Sequence, residues 1–342
     1  MFDGEREDRE MSVAPAPMMR DQTNLDVLRA YAVTLVVVCH VSIFYGHSRL
    51  AMLGSVGVAL FFVHTCLVLM RSLERQRQAR LFTAFIIRRV FRIYPLSVFM
   101  ITLVVIFHIP QRVMVLGHFQ TWKYTTPEII SNLFLTQGAT GSIINPMWSL
   151  SYEMQMYLLL PAIYLLVRQA TMRETAGIWV VAVVLSIAVC ISVPHTTLFT
   201  YTPCFMSGVV AYKMQQKNIG ASLKSWLWPA TLAVLTVLFI ALMQTSVGIG
   251  QWWITSALIG FTLPFFKQCS WRAVTLPAKL IARYSYGIYV AHFFCMWVVL
   301  EKMNASIYIA LPVFLVFLGI VSVALYHGIE KPFIELGKRL SA

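Results

Sequence analysis

Ten apolar stretches follow one another along this chain, at 25–45, 52–70, 94–109, 148–167, 176–193, 197–212, 226–244, 249–266, 284–300 and 306–327. A helix needs about 20 apolar residues to cross a bilayer. Inside lipid every backbone N–H and C=O must find a partner within the protein, and a helix does this within one segment. The predicted fold is therefore all-α, a polytopic transmembrane helix bundle of about ten spans. Composition agrees, with 58% apolar and 12% charged residues among 342 and a mean hydropathy of +0.72. A soluble domain is roughly half apolar and about a quarter charged. A water-soluble globule, a disordered chain and a disulfide scaffold are thereby excluded. The run 197–212 is the weakest, being short and holding Pro203 and Gly208. No internal repeat is visible. Stretch 128–135 reads as a short amphipathic piece in the longest loop, 110–147.

Loop charges set the orientation. The formal net charge is +13 and the pI is near 9.6. In a soluble protein that balance raises nucleic acid as a partner; in a membrane protein it reads first as the cytoplasmic excess of Lys and Arg. One set of alternate connections holds only Arg49, Arg112, Lys123 and Lys302, and Arg29 lies inside the first run. The other 22 of the 27 Lys and Arg fall in the opposite connections and the two termini. Ten spans with both termini cytoplasmic account for this split, and no nucleic acid partner is implied.

The expected organisation is a disordered cytoplasmic tail over 1–24, a transmembrane domain over 25–333 and a cytoplasmic C-terminal tail over 334–342. Residues 1–24 are polar, and no secretory signal is read at the start of the chain. The six cysteines show no metal or redox spacing, so no metal site is expected and they read as small core residues.

Ionisable groups at membrane depth are costly, which makes each a functional candidate. The first run carries Arg29 and His40, eleven positions and about three turns apart on nearly one face, roughly 16 Å along the axis. Arg29 falls near the cytoplasmic surface and His40 in the outer half. Arg29 also suits snorkelling to headgroups or pairing with Asp26, and His40 also suits a hydrogen-bonded core position. The fourth run opens Asn145-Pro146-Met147-Trp148-Ser149-Leu150-Ser151-Tyr152-Glu153, which puts Glu153 about 7 Å below the outer surface, near the depth of His40. A carboxylate beside an imidazole fixes its tautomer and orients a general base. Trp148 reads equally as an interfacial belt residue. Arg88, Arg89 and Arg92 share a helical face at spacings of three and four. Pro95 predicts that their helix is a short surface piece that breaks before the span. Clustered guanidinium groups suit phosphates, and equally suit topology alone or anionic headgroups. His292 lies mid-run, and His64, in the second run, reads better as a core polar group.

These segments resemble the acyltransferase 3 family of integral-membrane acyltransferases. Leu25-Asp26-Val27-Leu28-Arg29-Ala30 followed by His40 resembles its opening segment. Gly57-Val58 with Leu60-Phe61-Phe62-Val63 is similar to its second-helix motif, and Arg88-Arg89-Val90-Phe91-Arg92-Ile93-Tyr94-Pro95 to its arginine motif. Trp148-Ser149-Leu150-Ser151-Tyr152-Glu153 with Gln155, Tyr157 and Pro161, Ser285-Tyr286-Gly287-Ile288-Tyr289 with His292, and Ile329-Glu330-Lys331-Pro332-Phe333 complete the set in family order. Departures exist. His64-Thr65-Cys66 stands where the family has Leu-Ser-Gly, removing a close-packing glycine. Met154 replaces a common second acidic residue. The chain ends soon after the last run, without the hydrolase-like domain that some members append.

The resemblance implies an enzyme that transfers an acyl group, most often acetyl, from acyl-coenzyme A to a hydroxyl of a sugar in a surface glycan or glycolipid outside the cytoplasm. It implies polysaccharide O-acetylation at a bacterial inner membrane. Coenzyme A thioester, acetyl-CoA above all, enters as donor substrate with no permanently bound cofactor. On that reading His40 deprotonates the acceptor and Glu153 orients it. Arg29, Arg88, Arg89 and Arg92 hold donor phosphates, and Trp148, Ser151, Tyr286 and His292 shape the acceptor site. An acyl-histidine intermediate suits the same residues. A multi-span transporter of a small polar or glycolipid solute is the alternative, and an inactive assembly partner a third class. The charge split carries a direct test. A cysteine placed in loop 110–147 is expected to react with an impermeant thiol reagent on intact cells and one at Gln78 is not; labelling at Gln78 overturns the orientation.

Overall fold

The computed structural model describes residues 22–76, 80–110, 113–115, 118–120, 123–138, 140–193, 197–220, 222–244 and 248–342. Most of the expected N-terminal tail, together with Arg77, Gln78, Arg112 and His195, lies outside the described residues. Every one of the ten apolar runs is helical. They form α1 (Thr23–Phe44), α2 (Met52–Glu74), α3 (Leu81–Ile106), α5 (Trp148–Val167), α6 (Met172–Ser192), α7 (Leu198–Gln216), α8 (Leu227–Met243), α9 (Gly250–Thr262), α10 (Arg272–Met296) and α11 (Ile307–Leu325). The amphipathic loop piece is α4 (Thr126–Leu133), started by a capping box in which Thr125 and Glu128 bond each other's backbone N–H. Before it, Val113–Val115 and His118–Gln120 pair as a small antiparallel hairpin, β1 and β2, which the sequence does not announce. The C-terminal residues form a last helix, α12 (Lys331–Leu340), docked on α3, where only a tail was expected.

Among the described residues, six helices are long and apolar enough to cross a membrane, and α8 is a shorter apolar one. The helices at 197–212, 249–266 and 284–300 fall short for physical reasons. α7 is sheathed by α2, α6 and α9 and is buried without a break from Pro203 to Met214, so lipid contact places no demand on its polar residues. α9 has 13 residues. α10 carries Arg272, Lys279 and Arg283 in its first half. Outer helices do the reverse. Val180, Val184 and Ile191 of α6, Val234 and Val237 of α8, and Val316 and Ile320 of α11 are all more than half exposed. Such apolar faces suit hydrocarbon and not water.

α3 corrects the expected break at Pro95: it runs unbroken through the proline from Leu81 to Ile106. A proline inside a helix removes one backbone bond, here the one to the carbonyl four residues back, and packing against a neighbouring helix steadies the helix on either side of the gap. Here the Tyr286 hydroxyl of α10 donates to the Ile93 carbonyl at 2.8 Å and bonds Ser97 Oγ at 2.6 Å, one contact on each side of Pro95. Lys213, counted among the loop charges, is buried instead. Its Nζ donates to the carbonyls of Val167 and Arg168 at 3.0 and 3.2 Å and to Gln216 Oε1 at 2.8 Å, capping the C-terminal end of α5.

Cys66 stands where the resemblance places a glycine, yet the close approach survives, because α7 supplies a glycine. A Cβ added at Gly208 meets the Val63 carbonyl and comes within 2.7 Å of Cys66 Cβ. Gly208→Ala is therefore expected to cost about 1–3 kcal/mol through overpacking, read as a lower midpoint of thermal unfolding in detergent. Cys66→Gly in the same chain is expected to recover part of that loss.

Candidate active site

A chamber of about 110 Å³, largely apolar but carrying charged and hydroxyl side chains, opens inside the bundle, room for several waters or for a small reacting group. Five helices contribute to it. Arg29 comes from α1, His64 and Thr65 from α2, Arg89 and Arg92 from α3, Ser149, Glu153 and Tyr157 from α5, and Tyr286 and Tyr289 from α10. Arg29, expected near the surface, does not snorkel out; it faces this chamber, in the electrostatic field of Glu153, Glu330 and Arg92.

Glu153 accepts from Thr65 Oγ1 at 3.1 Å and from the Tyr157 hydroxyl one turn along α5. Glu330 reaches the site through a π-helical turn, Tyr326–Glu330, between α11 and α12. Such turns re-aim side chains at functional places. It lies 4.0 Å from Arg92, with its side chain 1% exposed and that of Arg92 31%. Three guanidinium groups thus share two carboxylates. Arg89 Nε is buried with no hydrogen-bond partner, and its guanidinium lies 5.8 Å over the Phe85 ring. The surplus of cations and the unpaired N–H are chemistry that suits an anion. Arg88 does not join it: its Nε donates to Ser341 Oγ at 2.8 Å, holding α12 to α3.

A second chamber of about 210 Å³ lies beyond, lined by His40, Cys39, Asn145, Pro146, Trp148 and Tyr289 among others. His40 and Trp148 thus line the same chamber. The expected pairing of His40 with Glu153 is not made. Glu153 is turned to Thr65 and Tyr157 in the arginine chamber, and the partner of His40 is His292, Nδ1 to Nε2, at 3.0 Å. His292 is fully buried and its Nδ1 lies 3.2 Å from the Ile288 carbonyl. A carbonyl only accepts, so His292 Nδ1 carries hydrogen, and in the neutral ring its Nε2 must accept. His40 Nδ1 is then the donor, which leaves His40 Nε2 as an unprotonated base. The sequence leads one to expect a carboxylate partner for His40, and the fold places a second imidazole there.

The remaining sequence candidates divide. Tyr286 lines the arginine chamber but spends its hydroxyl on α3. Ser151 lines neither chamber; it is fully buried and its hydroxyl returns to the Trp148 carbonyl at 2.9 Å. Residues overlooked as site members are His64, Thr65, Tyr157, Tyr289 and Glu330. A signal existed for several. Tyr157 lies four residues after Glu153 on a helix, Glu330 and Tyr289 sit within the quoted motifs, and Thr65 keeps the hydroxyl of the family's serine.

The outer faces of the bundle suit lipid, and inside it an arginine-lined chamber lies next to one that holds a histidine pair. The chain belongs to the acyltransferase 3 family, whose acyltransferase domain matches residues 22–327. It is also similar to the acyltransferase MdmB of Streptomyces mycarofaciens, 28% identical over 251 residues, which cover 69% of this chain and 61% of that protein. No solved structure matches the chain.

The Thr65 bond gives a structural test. Thr65→Ala is expected to cost about 1.5–3 kcal/mol, the range for a hydrogen bond to a charged group, and Thr65→Ser to restore most of it. Thermal unfolding of both variants in detergent checks this, and equal midpoints for Thr65→Ala and the native chain contradict the contact.

Proposed function

We propose that this protein moves an acyl group, most simply acetyl, from cytosolic acyl-coenzyme A to a hydroxyl of an extracytoplasmic sugar or surface glycan. The same reading takes all ten helical runs as spans, with both termini cytoplasmic, in a bacterial inner membrane. The observation that carries it is the arrangement of two adjoining chambers, the arginines of one and the histidine pair of the other, within one family-matched bundle. Arg29, Arg89 and Arg92 form a match for the phosphates of the donor. His40 Nε2 is placed to take a proton from an alcohol, a poor nucleophile near neutral pH.

The acceptor oxygen bonds to the acyl carbon as its proton passes to His40 Nε2. The imidazolium is stabilised by the bond from its Nδ1–H to His292. The carbon–sulfur bond breaks and the thiolate leaves as coenzyme A, which recovers the proton. An acyl group carried briefly on His40 Nε2 uses the same atoms in two steps. Glu153, with Thr65 and Tyr157 behind it, has the separate task of keeping the guanidinium groups balanced and aimed.

His40→Ala is expected to reduce acyl transfer by about 10²–10⁴-fold while leaving monodisperse protein, and His292→Ala to follow it in the same direction. Purified protein, labelled acetyl-CoA and glycan acceptor give the readout; near-native transfer by His40→Ala overturns the assignment. Arg89→Ala or Arg92→Ala is expected to raise the KM for acetyl-CoA more than it lowers kcat, each lost charged contact being worth about 1.5–3 kcal/mol. Mass spectrometry of surface glycans with and without the protein identifies the acyl group and the acceptor together.

A further inference from the structure

The two chambers share one wall. Tyr289 of α10 lines both. Its hydroxyl donates to the carbonyl of Pro146, a residue of the outer chamber, and bonds Ser149 Oγ, a residue of the arginine chamber, at 2.9 Å. A phenol has one hydrogen, so with Pro146 as acceptor Ser149 must be the donor of the second bond. The hydroxyl is thus pinned at the boundary, with one partner on each side. The ring is held as well: Phe61, from the arginine chamber, packs edge-on at 5.8 Å between centroids, and His292 lies at 6.3 Å.

We propose that Tyr289 is the gate between the two chambers. Closed, it keeps water of the outer chamber away from a thioester held beside the arginines. Open, swung off Pro146 and Ser149, it lets the acyl carbon meet the base on His40. The chemical part of this inference rests on the acyl-transfer reading; the seal itself rests on the geometry. Its value follows from what an open passage permits. Water attacks the thioester carbonyl, the carbon–sulfur bond breaks, and acid and free thiol form with no acceptor modified. Closed sites suppress side reactions of this kind, and side chains or loops that open only for the productive step are a common device.

Two measurements test the gate. In the first, purified protein is given acetyl-CoA without acceptor and free thiol is followed. Tyr289→Ala is expected to release thiol several-fold faster than the native chain while transfer to acceptor falls. Tyr289→Phe, which keeps the ring and loses both bonds, is expected to lie between, and serves should the alanine variant fail to fold. Native-like thiol release by folded Tyr289→Ala and Tyr289→Phe overturns the proposal. The second measurement needs no donor. A Thr65→Cys probe in the arginine chamber is exposed on intact cells to a small anionic methanethiosulfonate, which the local cations attract, and labelling is counted above that of the chain without the probe. Protection with Tyr289 present and labelling with Tyr289→Ala are expected, and equal labelling in both overturns the gate. If the native chain neither transfers nor hydrolyses acetyl-CoA, the donor assignment fails alone, since the cysteine result still decides the seal.

Discussion

The structure turns on keeping guanidinium charge inside a bundle whose outer faces suit hydrocarbon. An isolated charge at that depth is expensive, so the helices that carry it must also bring its counter-charges. α1 and α3 supply Arg29, Arg89 and Arg92, α5 supplies Glu153, and the turn after α11 delivers Glu330. Three cations against two carboxylates leave the set one negative charge short. Under the proposed function, that shortfall is what a donor phosphate would meet. Much of the remaining architecture serves the convergence. Tyr286 steadies α3 across its proline, Ser341 holds Arg88 back against α12, and Tyr157 with Thr65 fixes the carboxylate.

How much of this was legible beforehand follows from what kind of information a sequence holds. Apolar run lengths located all ten helices, because lipid leaves a helix no alternative way to bond its backbone. The same reasoning overstates Pro95, since the spacing does not show the α10 hydroxyl that grips α3 on both sides of the proline, 193 residues away from Ile93. The loop position of Lys213 suggests a topological charge, and only the fold shows that it serves the end of α5. Among site residues, Arg29, Arg89, Arg92, His40 and Trp148 line the chambers in the expected grouping, because charge at membrane depth and local spacing both speak from the sequence. Arg88 and Ser151 do not line either chamber, because their partners are Ser341 and a backbone carbonyl, and helical spacing does not reveal partners.

The histidine pair marks the same limit more sharply. His40 and His292 are separated by 252 positions, and no local pattern links them. A carboxylate was the natural expectation for orienting a base. In a low-dielectric interior a neutral imidazole accepts from Nδ1–H of His40 without the desolvation cost of a further buried ionised group. The Ile288 carbonyl then orders the hydrogens along the pair, placing the one on His40 at Nδ1.

The exchange at Cys66 and Gly208 reaches beyond this chain. The small residue that lets α2 and α7 touch is a property of the pair, and either helix is able to provide it. A motif written along one helix treats that requirement as a letter at a fixed position. It therefore scores this chain as a departure at a place where nothing has been lost. For membrane bundles of this kind, contact positions are better compared two at a time, with the sum of side-chain sizes across an interface as the quantity to be matched.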